Sequence, residues 1–263
     1  MEVQQFMPAV LELSKKVKQA INAKQKTGFK TDTKFHNNLV TEVDVMAEKM
    51  LVEGLSEIFP EAGFIAEEGT GEKAEAWNWI IDPIDGTTNF SRGIPVFSIS
   101  IALHHPELGV QLGMIHDLGQ DHQYWAVAGK DGAFKDEESI ACTTTPKLAN
   151  SLLATGFPYD NFSVQTMYIN LLNNLFGKCL GIRRMGSAAI DLAYVAEGKF
   201  DLFFEYGLNP WDVAAGYFIV EKAGGKVSGF NNDPHSIFSA ETLVSNGYVH
   251  QEFQEKIEQA KGL

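Results

Sequence analysis

Cysteine is scarce in this chain: its 263 residues hold two, Cys142 and Cys179, with no CxxC pair. A disulfide scaffold, a zinc ribbon and a thioredoxin-type redox motif are thereby excluded, and both residues read as ordinary thiols of a reducing compartment. Basic residues are short as well. Against 34 Asp and Glu stand 21 Lys and Arg, a formal net charge of −13, which argues against the cationic surface that nucleic acid or an anionic membrane demands. An excess of carboxylates suits the gathering of divalent cations instead. No apolar run approaches the roughly 18 residues of a membrane span. The N-terminal MEVQQFMPAVLEL has neither the basic region nor the uninterrupted apolar region of a secretory signal. A cytoplasmic location is the expectation, and the Asn-X-Ser sequons at Asn89 and Asn161 read as incidental.

What remains is a core-forming composition, 44% hydrophobic and 21% charged, close to the soluble average. At roughly 150 residues per domain, the length allows one large domain or two packed ones. Phe6, Val10, Leu13, Val17 and Ile21 recur at helical spacing. A polar stretch from Asn22 to Asn38 follows, and a second helix is predicted from Thr41 to Phe59, stopped by Pro60. The period then changes. Trp79-Ile80-Ile81 reads as a buried strand ending at Asp82-Pro83. From Val96 to Leu103 the pattern alternates, with Ser98 and Ser100 opposite Phe97, Ile99, Ile101 and Leu103. Strands over Leu108–Ile115 and Gln123–Ala128 complete a largely antiparallel sheet. Beyond Cys142, strands (Leu152–Thr155, Phe200–Phe204, Leu243–Ser245) alternate with helices (Val164–Phe176, Ser187–Glu197, Asp212–Ala223, Gln251–Ala260). No repeat, low-complexity tract or linker separates the halves, so two lobes are expected, 1–142 and 143–263, with a site near their junction.

The most informative segment is WIIDPIDGTTNF, residues 79–90. Asp82 and Asp85 stand three apart around a proline, directly after a buried strand. Hard oxygen ligands of this kind suit Mg²⁺ rather than zinc. Gly86, Thr87 and Thr88 then offer backbone N–H groups and hydroxyls that could hold a phosphate. The same string is also good turn chemistry, with both aspartates making Asx-type hydrogen bonds. Glu67-Glu68 reads either as a second acidic cluster or as a solvated loop. Thr41-Glu42-Val43-Asp44 fits a capping box, which alone would explain Asp44. Asp212, after Asn209-Pro210-Trp211, could be a plain N-cap, and Ser187 another. Four of the seven histidines, His104, His105, His116 and His122, fall in or beside the sheet and read as structural or surface residues.

Taken together, WIIDPIDGTTNF, the upstream Glu67-Glu68 and the downstream Pro210-Trp211-Asp212 resemble the inositol monophosphatase family of Mg²⁺-dependent, lithium-sensitive phosphatases. The resemblance runs from Leu39-Val40-Thr41 to Glu221-Lys222-Ala223-Gly224-Gly225, and Arg183–Ala189 with Leu192–Ala196 is similar to bacterial members. It departs around Lys34, where the family's lysine-bearing loop matches loosely. The implied fold is mixed α/β, a layered αβαβα sandwich shared with fructose-1,6-bisphosphatase. The resemblance implies that Glu67, Asp82 and the Ile84 carbonyl hold one Mg²⁺, that Asp82, Asp85 and Asp212 hold a second, and that a weaker third joins near Glu67. It further implies that Thr87, with Asp44 behind it, helps activate the attacking water. Gly86, Thr87 and Thr88 would grip the phosphate, while Gly186, Ser187, Ala188 and Glu205 would face the alcohol. The implied substrate is inositol monophosphate or a similar polyol or sugar phosphate, the implied assembly a homodimer. Relatives within the same chemistry act on fructose-1,6-bisphosphate, histidinol phosphate, NADP or 3′-phosphoadenosine phosphates. Others serve as partners of the transcription machinery, with catalysis incidental.

Overall fold

The computed structural model describes residues 2–35, 38–158, 162–231, 233 and 235–262, without the side chains of 33–35, 38, 39 and 162. The side chain of Lys34 and the sequon at Asn161 therefore lie outside the described residues. In chain order the elements are α1 (Met7–Thr27), β1 (Thr31–Phe35), β2 (Asn38–Thr41), α2 (Glu42–Ile58), β3 (Gly63–Ala66), β4 (Asn78–Asp85) and α3 (Thr87–Ser91). There follow β5 (Ser98–His105), β6 (Gly109–Asp117), β7 (His122–Val127), β8 (Ala133–Lys135), β9 (Glu138–Ile140), β10 (Leu152–Thr155) and α4 (Gln165–Leu175). The chain closes with β11 (Gly181–Arg183), α5 (Ala188–Ala196), β12 (Leu202–Tyr206), α6 (Pro210–Lys222), β13 (Lys226–Ser228), β14 (Glu241–Ser245) and α7 (His250–Lys261).

Alternation along the strands builds five layers. On one face of the seven-stranded sheet β3-β4-β5-β6-β7-β8-β9, residues such as Ile81, Ile99, Ile101 and Met114 bury the apolar stripes of α1 and α2. From its other face, Ile80, Ala102 and Ile115 meet α5 and α6. These two helices also cover Ala154, Phe203 and Val244 of the five-stranded sheet β11-β10-β12-β14-β13. The far face of that sheet, with Leu153, Leu202, Phe204 and Leu243, buries α4 and α7. The order is helices, sheet, helices, sheet, helices, as the αβαβα reading requires.

The structure corrects the sequence reading in several places. The polar stretch after Ile21 is helical to Thr27 and then forms the antiparallel pair β1–β2; an exposed helical turn needs no apolar stripe. Short strands β3, β8, β9, β11 and β13 carry too few residues to set a period. The strand through Trp79 does not stop at Asp82 but continues to Asp85.

That continuation positions the site. In the antiparallel pair β4–β5, Asp82 stands opposite Ser100 and Asp85 opposite Ser98, with a register shift between them. Pro83 and Ile84 thus face the single residue Ile99, which makes a bulge, and proline is tolerated where a ladder bond is missing. In a regular strand, residues three apart point to opposite faces. Here the extra residue brings both aspartates onto the face of Ser98 and Ser100, toward α5 and α6.

Candidate metal centre and active site

Within a cavity of about 230 Å³ stand Glu67, Asp82, Ile84, Asp85, Gly86, Thr87 and Thr88 together with Gly186, Ser187, Ala188, Glu205 and Asp212. Every residue expected at the site except Asp44 lines this one cavity. No histidine or cysteine does so among the described residues; His116 is buried elsewhere, against Ser14 and Asp121. The floor is made by the carboxyl ends of β10, β12 and β11, where Thr155, Glu205 and Arg184 emerge. Because β10 pairs in parallel with β11 on one side and β12 on the other, its end is a switch point of the sheet, where a crevice opens between diverging connections.

The carboxylates converge from three elements. Oxygens of Asp82, Asp85 and Asp212 all lie within 4.8 Å of one another, and Asp82 shares a hydrogen bond with Glu67. Burial first, and then the charges of Glu67, Asp85 and Asp212, push Asp82 well above the ordinary carboxylate range. Burial followed by Asp85 does the same to Asp212. Asp85 is raised by burial, but hydrogen bonds from Ser187 and the Ala189 amide oppose the rise. Such a cluster holds together only with protons or cations between its members.

Each carboxylate is also anchored. Asp82 Oδ1 accepts the Ile84 N–H at 2.9 Å, the Asx turn that the sequence offered as a rival reading; the turn and the cluster coexist. Asp85 Oδ2 accepts the Ser187 hydroxyl at 2.5 Å and the Ala189 N–H at 2.7 Å, so it completes the N-terminus of α5. The Ser187 hydroxyl, expected to face substrate, is therefore engaged with Asp85 while its oxygen caps Ile190 N–H at 3.3 Å. Asp212 is not the N-cap of α6. That position belongs to Asn209, whose N–H donates to Asp212 Oδ2 at 2.6 Å, because Pro210 takes the first helical position without needing a donor.

Asp44 sits behind the cavity wall, fully buried. Its Oδ2 accepts the Thr41 N–H at 2.8 Å and the Thr41 hydroxyl, the capping box foreseen for α2. Its Oδ1 accepts the Thr87 hydroxyl at 3.0 Å, a proton that the Ile84 carbonyl also faces at 3.1 Å. One aspartate thus caps a helix with one oxygen and reaches the cavity with the other.

Residues 2–261 match the profile of the inositol monophosphatase family. The chain belongs to this family. As a family member it is 38% identical over 218 residues to the Nus factor SuhB of Escherichia coli (strain K12), covering 81% of this chain and 80% of that one. To the fructose-1,6-bisphosphatase/inositol-1-monophosphatase of Thermotoga maritima it is 39% identical over 232 residues, 88% of this chain and 84% of the relative. The crystal structure of the extragenic suppressor protein suhB from Bartonella henselae superposes with a TM-score of 0.90 at 30% identity, over 96% of this chain and 98% of that one.

Two glycines let the family motifs approach each other. Gly86 has φ +97°, and a Cβ there would meet the Val96 and Gly186 carbonyls at 3.0 and 3.1 Å. Gly186 has φ +91°, and its Cβ would stand 2.6 Å from Arg184 and 2.9 Å from Asn89. Asn89, read as part of an incidental sequon, bridges the same gap by donating to the Val96 carbonyl at 2.8 Å and the Met185 carbonyl at 2.9 Å. Sequence reasoning also passed over Asp191. It is buried in the cavity floor, its Oδ1 has no partner among the described residues, and burial with the charge of Glu205 raises its pKa well above the usual range. Burial pushes Glu205 up to about 8, with Arg184 opposing.

Proposed function

We propose that this family member is a Mg²⁺-dependent phosphate monoester hydrolase acting on inositol monophosphate or a related small polyol or sugar phosphate. The observation that carries the reading is one cavity wall joining the Asp82–Asp85–Asp212 cluster to the hydroxyls of Thr87 and Thr88. Among the described residues, six carboxyl side chains line the cavity (Glu67, Asp82, Asp85, Asp191, Glu205, Asp212) against the single cation Arg184. A phosphate dianion would be repelled there unless cations intervened. The donors are hard oxygens, so they fit Mg²⁺. Glu67, Asp82 and the Ile84 carbonyl would hold one ion and Asp82, Asp85 and Asp212 a second, with a weaker third beside Glu67. When bound, the ions supply charge neutralisation, a water of lowered pKa and support for the leaving alkoxide.

The protein's own groups do the positioning. Gly86, Thr87 and Thr88 grip the phosphate through first-turn N–H groups and hydroxyls of α3. Thr87, with its proton held by Asp44, presents an oxygen lone pair to the attacking water; the carboxylate lets a weak base act as a relay. Gly186, Ala188 and Glu205 border the alcohol side. The cavity of about 230 Å³ is small for a ligand site, which favours a compact polyol ester over a dinucleotide.

A screen of the purified chain in Mg²⁺ tests this, across inositol monophosphate, fructose-1,6-bisphosphate, histidinol phosphate, NADP and 3′-phosphoadenosine phosphates. Turnover is expected to be fastest on a small polyol ester, to fall with Li⁺ and to vanish in EDTA; activity undiminished in EDTA ends the metal reading. On the accepted ester, Glu205→Gln is expected to raise KM by about 1–2 kcal/mol of lost binding while kcat changes little. An unchanged KM removes Glu205 from the substrate contacts.

The similarity to the Nus factor SuhB of E. coli favours a second reading, in which the chain binds a protein of the transcription machinery and catalysis is incidental. Asp85→Asn in cells separates the two, since a phenotype retained without activity supports the binding role. Light scattering reports whether the chain forms the homodimer that the resemblance implies.

A further inference from the structure

Glu48 takes no part in the chemistry above, yet α2 buries two carboxylates completely, Asp44 and Glu48. They stand four residues apart, on one face of the helix, where like charges repel and each has lost its water. An apolar side chain would fill the same place at lower cost, as Val43, Ala47 and Leu51 do around them. Asp44 reaches Thr87. Glu48 reaches the other side of the site: its Oε2 accepts the Glu68 N–H at 2.7 Å and its Oε1 the Thr70 N–H at 2.8 Å. These two amides flank Gly69, whose own N–H closes a turn onto the Ala66 carbonyl at 3.2 Å. The amide of Glu67 is bonded to the Ile81 carbonyl at 3.3 Å, where the β3–β4 pairing ends. Glu67 is thus held between a strand ladder before it and the Glu48 carboxylate after it.

We propose that Glu48 is a positioning residue, its carboxylate clamping the 66–70 turn so that Glu67 stays beside Asp82 in the geometry a cation needs. The proposal rests on the reading of Glu67 as a cation ligand. Without a cation or a shared proton, Glu67 and the carboxylates of Asp82 and Asp212 repel one another. Two N–H bonds to a buried carboxylate are charge-assisted and about twice as strong as neutral ones, so the turn can resist that repulsion. An ion then finds its ligand in place and does not have to order the loop as it binds. Outer groups of this kind typically govern metal affinity by roughly 10–100-fold.

The test is Glu48→Gln in the full chain, which keeps the volume but replaces one acceptor with an amide group that cannot take an N–H. Mg²⁺ binding followed by calorimetry is expected to weaken by roughly ten-fold or more. Amide exchange in the metal-free protein is expected to quicken at Glu68 and Thr70 while α2 stays protected, and kcat at saturating Mg²⁺ is expected to stay near wild type. Unchanged Mg²⁺ affinity overturns the clamp, whatever the exchange shows. Wild type binding no Mg²⁺ overturns the metal reading and the clamp with it, so the two failures are distinguishable. If Glu48→Gln does not fold, wild type still decides: Glu68 and Thr70 amides that exchange as fast as exposed loop amides overturn the proposal, and slow exchange at both supports it.

Discussion

Asp82→Asn is expected to lower kcat by at least about 10³, because it removes the carboxylate shared by both cation sites. The substitution is well matched to the question. Asparagine keeps an acceptor for the Ile84 N–H that Asp82 Oδ1 receives at 2.9 Å, so the turn survives while one negative charge disappears. Asp82 is 2% exposed and pressed by Glu67, Asp85 and Asp212, so losing that charge relieves repulsion in the metal-free state. The variant should therefore melt a few degrees higher than wild type in EDTA, at roughly 2–4 °C per kcal/mol for a chain of this size. Added Mg²⁺ should raise the melting temperature of wild type and hardly move that of the variant. Activity falling together with metal-free stability would mean that Asp82 is a structural residue. Wild-type activity in the variant would remove it from the mechanism.

The second large effect concerns Thr87 and Asp44. If they act as one unit, Asp44→Asn and Thr87→Ala should each lower kcat by about 10²–10⁴, and the double variant little further. Capping cannot produce that pattern. Loss of a cap costs about 1 kcal/mol of stability and leaves turnover alone, whereas the 3.0 Å contact between Thr87 Oγ and Asp44 Oδ1 couples the pair directly. Thermal melts beside the kinetic cycle divide the two contributions, since Asp44 also holds Thr41. Multiplying kcat losses, as independent residues would give, would sink the relay and leave the capping box standing.

Much of this was legible in the residues themselves. The stripes of α1 and α2, the alternation of β5 and the small-residue starts of α5 and α6 follow from period and cap chemistry, because burial on one side imposes them locally. The metal-motif residues were legible as types. Their convergence was not, since it depends on a bulge that no hydrophobic period encodes and on helices far along the chain. Glu48 left a faint trace: an acid four residues after Asp44, between the buried Ala47 and Leu51, is out of place on an apolar stripe. Asp191 left none, since an acid in the helix IDLAYVA reads as a solvent-facing side chain and only the fold turns it into the cavity. The Thr41 box was read correctly, but a capping motif conceals any second duty of its acid, because either oxygen alone satisfies the pattern.

The bulge at Pro83 and Ile84 also sets how this protein can tolerate changes of length. Adding one residue to β5 beside Ile99 would restore unbroken pairing between β4 and β5, yet Asp85 would then stand three regular positions from Asp82 and turn toward the layer of Ile81 and Ile99. Its carboxylate would leave both Asp212 and the Ser187 hydroxyl. Substitutions along Trp79–Asp85 alter what is presented to the cavity, whereas a single-residue insertion opposite the bulge changes which side of the sheet presents it. Spacing, more than side-chain identity, is what this segment has least freedom to vary.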